Sequence, residues 1–523
     1  MDKAYDVVVA GGGPIGLCLA CELGLAGASV LVLERDSKLE SPWKISPLGL
    51  RGVNTQSVEA FYRRGLLNKI LGSGIFDPDG RPQSFQKKPG FAFGGHFAGI
   101  MMNANKLELD RFKYRINGPA LQPGPTTLDR VESVLSEAAE NLGVTILRGH
   151  GVTRIATADD RGVTVETADG QSFRGEWLVG CDGGRSTIRK AAGFDFPGTE
   201  PKFTAYAVYC DLEHAETLKP GFNPTKTGMY ITGAKPGAVY LVDFDGGAYD
   251  RSQEITIEHI QEVMCRVSGK PDIEITKLHL ASAFTDSSRQ VTSYRKGRVL
   301  LAGDAAHIHP PLGSQGLNVG IGDAMNLGWK LAATIRWEAE SQAGPDLKLL
   351  DTYESERRPI AAWVLDWTRA QVSTIQLDEH GAAMQRLIRD VIDTTDGTNL
   401  FIDRAWGLTQ RYDLGDAHPL IGSSAPDFEL VDGSRLGDKM HNGHGLLVDF
   451  THSAALKSLV TEGDFGVRLD HVGIRAKDTR GLQSLLVRPD GIVAWVAEED
   501  GNPDIDATKR ALERWFGPRR SIL

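Results

Sequence analysis

The sequence predicts an α/β fold with a dinucleotide-binding, Rossmann-like unit, and three stretches predict it. In each, a short apolar run enters glycines and then a helical pattern: residues 7–10 before "GGGPIG", 177–179 before "GCDGGRS", and 299–302 before "GDAAHIHPPLGSQG". In an open α/β sheet the turns that leave the strands share one edge, and ligands bind along it.

The first stretch, "YDVVVAGGGPIGLCLACELGLAGASVLVLERD", reads as strand, glycine turn, helix and second strand, a βαβ unit. Gly11, Gly13 and Gly16 supply G-x-G-x-x-G around Pro14 and Ile15. The first glycine permits the tight turn, the second lets a pyrophosphate approach the backbone, and the third lets helix and strand pack closely. The phosphates then meet the helix N-terminus, where free N–H groups and the dipole favour an anion. Glu34, beside Arg35 at the end of the second strand, is placed to accept both ribose hydroxyls of an adenosine. This motif alone does not separate NAD from FAD. Cys18 and Cys21 form a C-x-x-C, but they sit in an apolar helical run where small hydrophobes pack well, so a redox or zinc role is not expected.

The third stretch reads as a strand, an irregular loop and a long helix carrying Ile321, Met325, Leu327, Leu331 and Ile335 at apolar positions. Asp304 directly follows the strand, where a carboxylate can hold the hydroxyls of a polyol such as ribityl. With the helix starting near Gly316, the N–H groups of Leu317 and Asn318 suit a ligand that gains negative charge, as reduced flavin does; the dipole contributes about 0.3–1 kcal/mol. His307 and His309 lack a third ligand in any metal motif, so no metal is expected and both are assigned to loop carbonyls. No G-x-S-x-G elbow supports a hydrolytic triad. The middle stretch, with Asp182-Gly183, Arg185 and Arg189, is by itself only a capped strand-turn-helix.

The remaining composition bounds the partners. At 523 residues two or three domains are expected, and a formal net charge of -10 argues against nucleic acid and anionic membrane surfaces. Residues 7–33 are apolar enough to consider as a membrane span, but Glu22 and the glycines fit strand, turn and helix better. Five cysteines, none beyond Cys265, form no disulfide framework; with no evident signal peptide, a cytoplasmic protein is expected.

Together, the fingerprint at 11–16, the Asp182-Gly183 motif with Arg185 and Arg189, and Gly303-Asp304 resemble the FAD-dependent group A aromatic hydroxylases of the p-hydroxybenzoate hydroxylase fold. "YESERRP" at 353–359 also matches, and "HFAGI" at 96–100 is similar to the polyketide and rifamycin hydroxylase branch. The resemblance implies that Glu34 binds adenosine ribose, Asp304 the ribityl chain, and the 310–318 loop, with Pro311, Gly313, Gly316, Leu317 and Asn318, the isoalloxazine. Two positions depart from the family: Gln56 stands where many relatives carry arginine, with Arg51 nearby as the cofactor-facing cation, and Leu128 replaces a glutamine ahead of Glu132.

The family architecture implies a discontinuous FAD-binding domain of the GR2 type, made of residues 1–75, 106–190 and 285–400. It implies a substrate domain of 76–105 and 191–284, whose strand-like runs read as an antiparallel sheet. His96, Phe97, Tyr206, Tyr230, Tyr240 and Phe244 are the expected substrate-facing residues. Residues 415–523 resemble a thioredoxin-like C-terminal domain without any cysteine, which excludes dithiol chemistry and points to a stabilising role or a homodimer contact. The implied activity is a monooxygenase acting on a phenolic or polycyclic aromatic small molecule. NADH or NADPH would be the transient reductant, docking near Arg185 and Arg189, O₂ the co-substrate, and a flavin C4a-hydroperoxide the oxygen donor. Baeyer–Villiger or epoxidising chemistry, a flavin dehydrogenase or oxidase, and a non-catalytic flavin-binding scaffold are the alternatives.

Overall fold

The computed structural model describes residues 4–72, 85–233, 236–340, 346–463, 465, 467–498 and 504–517. Its main sheet has five parallel strands in the order Val299–Leu301, Ser172–Gly180, Tyr5–Ala10, Val30–Glu34 and Thr145–Arg148. Val8 pairs with both Leu178 and Leu31, and Leu178 with Val299, so the three glycine turns leave adjacent strand ends at one edge. Residues 7–10, 30–33 and 299–301 are continuous buried apolar runs because both faces are covered there, as parallel sheets require. Helices Pro14–Leu25 and Gln315–Glu340 pack against each other on the sheet. The first is apolar all round and buried from Gly16 to Leu23, and its one charge, Glu22, is held by Arg64 at 2.7 Å. Among the described residues no helix is long and apolar enough to cross a membrane.

A second, antiparallel sheet runs in the order Gly221–Pro224, Gly228–Thr232, Ala238–Asp243, Thr204–Glu213 and Glu274–Thr285. Alternation gives it two different faces. Tyr206, Val208, Tyr230 and Leu241 pack under helix Ile257–Ser268, while Phe203, Ala205, Met229 and Val242 join Phe97, Leu312 and Phe401. The second face therefore looks toward the loop that follows Val299–Leu301. Beyond Trp406 a four-stranded sheet, Leu469–Gly473, Gly445–Asp449, Leu482–Val487 and Val493–Glu498, has its first pair parallel and the others antiparallel. Helices Ala454–Thr461 and Ile505–Phe516 pack on this sheet, and its core continues into Trp329 and Leu349 of the first unit.

Candidate cofactor and active site

A cleft of about 780 Å³ opens at the carboxyl edge of the main sheet, within the range of small-molecule sites. Gly11, Gly13, Pro14 and Ile15 line its middle, and Glu34 and Arg35 one end. Arg51, Asp304, Gly316 and Leu317 line the other. The sequence thus brings most of the expected cofactor residues together.

The glycines meet different constraints. Gly11 has φ +108°, and a Cβ there would lie 2.4 Å from the Cys181 carbonyl oxygen; at Gly16 it would lie 1.9 Å from that of Gly11. Gly13 has nothing within 4 Å of such a Cβ: its open side faces the cleft, the cradle that a pyrophosphate needs. Gly16 itself lies behind the cleft wall and serves packing.

Glu34 accepts from the Gly12 N–H at 2.6 Å and the Asp36 N–H at 2.8 Å, one on each oxygen, so each keeps a lone pair for a ribose hydroxyl. Asp182 accepts from Ser186 Oγ at 2.5 Å and from the N–H groups of Thr187 and Ile188, which fixes the Asp182-Gly183 turn at the cleft wall. At the far end Asp304 opens to the cleft, and desolvation by the surrounding protein raises its pKa against the pull of His307 and Arg51. Arg51 is anchored by donation to the carbonyls of Leu48 and Leu50 at 2.9 and 2.7 Å, and burial lowers its pKa.

Several expectations are corrected. Pro311 is exposed, and Gly313 lies against the Gln371 amide; neither lines the cleft. The Asn318 side chain is a staple: it accepts from Asn54 N–H at 2.9 Å and donates to the carbonyls of Gly52 and Ser314 at 3.0 and 2.8 Å. Tyr206 and Tyr230 point away from the cleft. Strand alternation buries them under helix Ile257–Ser268, where the Tyr206 hydroxyl is 2.9 Å from His259 Nε2. Tyr240, on the opposite face, is close enough to Arg51 for each to perturb the other's titration, and Phe244 meets Phe203 edge-on at 5.5 Å.

Phe97 is core, edge-on to Trp367 at 4.8 Å and Phe401 at 5.1 Å. His96 packs against Phe222 with the rings tilted by 47° and their centroids 4.4 Å apart, and burial lowers its pKa to about 4, so it is neutral at pH 7. His309 Nδ1 donates to the Pro310 carbonyl at 2.9 Å, but His307 binds the Asp323 carboxylate at 2.7 Å instead of a carbonyl. Arg189 is committed to the Ala305 and Gly184 carbonyls at 3.0 and 2.8 Å, leaving Arg185 as the arginine of that pair on the cleft wall. The departures are also placed. Gln56 donates to the Gly407 carbonyl at 2.9 Å, Leu128 lines the cleft, and Glu132 pairs with Lys44 at 2.7 Å.

Gly149, Gly151 and Thr153 line the Glu34 end without having been singled out. Their signal was the "RGHG" turn after an apolar strand, which only the pairing of Thr145–Arg148 with Val30–Glu34 brings to the cleft. Among the described residues no group of three His, Cys, Asp or Glu is placed to hold a metal.

The parallel sheet, the glycine cradle and the carboxylate ending the second strand are the features of a dinucleotide-binding α/β protein. The FAD binding domain family matches residues 4–368, and the aromatic-ring hydroxylase C-terminal family matches 418–518. A monooxygenase of Claviceps purpurea is 47% identical over 98% of this chain and 97% of its own. The rifampicin monooxygenase of Streptomyces venezuelae is 35% identical over 98% of this chain and 99% of its own. The structure of the anhydrotetracycline hydroxylase of Streptomyces rimosus superposes with a TM-score of 0.81 at 34% identity, covering 99% of this chain and all of that one. The chain belongs to the FAD-dependent aromatic-ring hydroxylases.

Proposed function

We propose that this enzyme inserts one oxygen atom from O₂ into a phenolic or polycyclic aromatic, polyketide-like molecule, drawing electrons from NADH or NADPH. Bound FAD supplies the oxygen-activating chemistry; the chain's residues bind, orient and keep water out. The observation that carries the reading is the continuous cleft from Glu34 through Gly13 to Asp304 and Leu317. Its Asp304 end lies beside Arg51, whose electrostatic partner Tyr240 belongs to the loop-facing side of the antiparallel sheet. In this reading residues 1–75, 106–190 and 285–400 hold the cofactor, and 76–105 and 191–284 cover the substrate. The 415–523 unit braces them.

Glu34 takes the ribose hydroxyls, the open side of Gly13 the pyrophosphate, and Asp304 the ribityl hydroxyls. The helix N-terminus at Gly316 and Leu317 stabilises negative charge on the ring. Tyr240 and His96 orient the substrate, His96 as an uncharged hydrogen-bonding group. The apolar packing of Phe97, Leu312, Trp367 and Phe401 limits water, which favours oxygen transfer over release of hydrogen peroxide. Arg185 is the cleft-wall cation available to the nicotinamide coenzyme. Five free cysteines support a reducing, cytoplasmic setting.

The test follows NADH and NADPH oxidation across phenols and polycyclic aromatics under ¹⁸O₂, with product mass. A labelled product heavier by one oxygen is expected. Substrate turnover without label would replace this reading with a dehydrogenase or oxidase.

A further inference from the structure

No described residue after Leu317 lines the cleft, yet the C-terminal unit reaches the cofactor loop through buried charge. The turn 488–491, between strands Leu482–Val487 and Val493–Glu498, enters the first unit. Arg488, fully buried, donates to both Glu356 oxygens at 2.8 and 2.7 Å and to Asp490 at 2.5 and 3.1 Å. Helix Gln315–Glu340 completes the cluster: Asn326 Nδ2 donates to Glu356 at 2.7 Å, and Lys330 Nζ lies 2.9 Å from it. Lys330 and Arg488 thus oppose Glu356 and Asp490, so the charges within this cluster balance. Arg64 adds a second link, pairing with Glu22 of the first helix while donating to the Pro489 carbonyl at 2.8 Å.

The next residue of helix Lys348–Thr374 meets helix Gln315–Glu340 one turn earlier. Arg357 donates from Nε to Asp323 at 2.8 Å and from Nη2 to the Val319 carbonyl at 2.8 Å. Asp323, fully buried, accepts from the Gly303 N–H at 3.0 Å and binds His307 Nε2 at 2.7 Å. One carboxylate therefore holds the backbone just before Asp304 and the side chain three residues after it. Glu356 and Arg357, adjacent in one helical turn, are tied to the C-terminal unit through Arg488 and to the cofactor loop through Asp323. A close-packed interior passes such a displacement on instead of absorbing it.

We propose that Arg488 is a positioning residue of the cofactor site: by clamping Glu356 it sets the turn from which Arg357 holds Asp323, and through Asp323 the placement of Asp304. The inference rests on FAD occupying the cleft. It gives the cysteine-free unit a task other than redox chemistry.

The test is Arg488→Met with Asp490→Asn in the full chain, which removes one charge of each sign. Hydrogen exchange of 303–308 is measured without cofactor, and FAD affinity by flavin fluorescence titration. Faster exchange at 303–308 and an FAD dissociation constant raised about 10-fold are expected. Combined with Asp304→Asn, the loss should be smaller than the product of the separate losses, because both act through one loop. A merely structural role gives losses that multiply. Wild-type exchange at 303–308, FAD binding within about twofold of wild type, or multiplying losses would each overturn the proposal. If the double variant does not fold, Glu356→Gln, which keeps the shape, is judged by the same measurements and limits. A wild-type chain that binds no FAD would remove the functional reading, while the cofactor-free exchange would still judge the relay.

Discussion

Gly13→Ala and Gly16→Ala should fail in opposite ways. At Gly16 the added Cβ would sit 1.9 Å from the Gly11 carbonyl oxygen, so helix and turn must separate by about 1.1 Å to restore even a 3.0 Å contact. Overpacking of this kind costs about 1–3 kcal/mol and here moves the whole phosphate turn, so both stability and FAD affinity fall. At Gly13 the Cβ meets no protein atom within 4 Å, and φ is −75°, open to any residue. Stability should therefore hold within about 0.5 kcal/mol, or rise slightly through the unfolded chain. FAD affinity should still drop at least about 10-fold, because the methyl occupies the pyrophosphate's approach. Urea unfolding of the cofactor-free protein with flavin titration separates the two. A Gly13→Ala protein that binds FAD like wild type would refute the placement of the pyrophosphate. An unperturbed Gly16→Ala would refute the packing argument.

The sheet-face assignment predicts that Tyr240→Phe changes kcat or KM by about 10-fold or more, whereas Tyr206→Phe loses only its His259 contact and about 1 kcal/mol of stability; equal kinetic effects would reject it. The Asp427 side chain is 9% exposed, and desolvation pushes its pKa up to about 6 despite Arg435 at 3.0 Å. Between pH 4 and 6 the native state keeps a proton there that the unfolded chain releases, so this group lowers stability as pH rises, by at most about 3 kcal/mol. Asp427→Asn should flatten the slope of urea midpoints over that interval, and an unchanged slope would disprove the effect. Cys18 and Cys21 are buried, and burial raises both thiols, Cys21 to about 12. They should resist a thiol reagent until the protein unfolds, and rapid native-state labelling would contradict their packing role.

What the sequence made legible was local chemistry with a periodic signal. The three strand-to-glycine transitions gave the parallel sheet, and their shared edge gave Gly11, Glu34 and Asp304 a common cleft. Side-chain facing in the antiparallel sheet was not legible. Tyr206 and Tyr240 look alike in sequence, and only strand register and helix Ile257–Ser268 distinguish a core face from a site face. Asp323, Glu356 and Arg488 were equally opaque, because the contacts that link them across the fold, Asp323 with His307 and Glu356 with Arg488, span 16 and 132 positions. Charged residues at helical spacing read as solvent-facing until tertiary packing buries them.

The strand order of the main sheet sets a schedule for synthesis. Tyr5–Ala10 leaves the ribosome first, yet its neighbour Ser172–Gly180 follows some 165 residues later and Val299–Leu301 later still. At about 5–20 residues per second, translation leaves that apolar strand without its second neighbour for roughly 8–35 s. A nascent chain built this way exposes an apolar strand edge over that interval, so slowing elongation should lower the soluble yield.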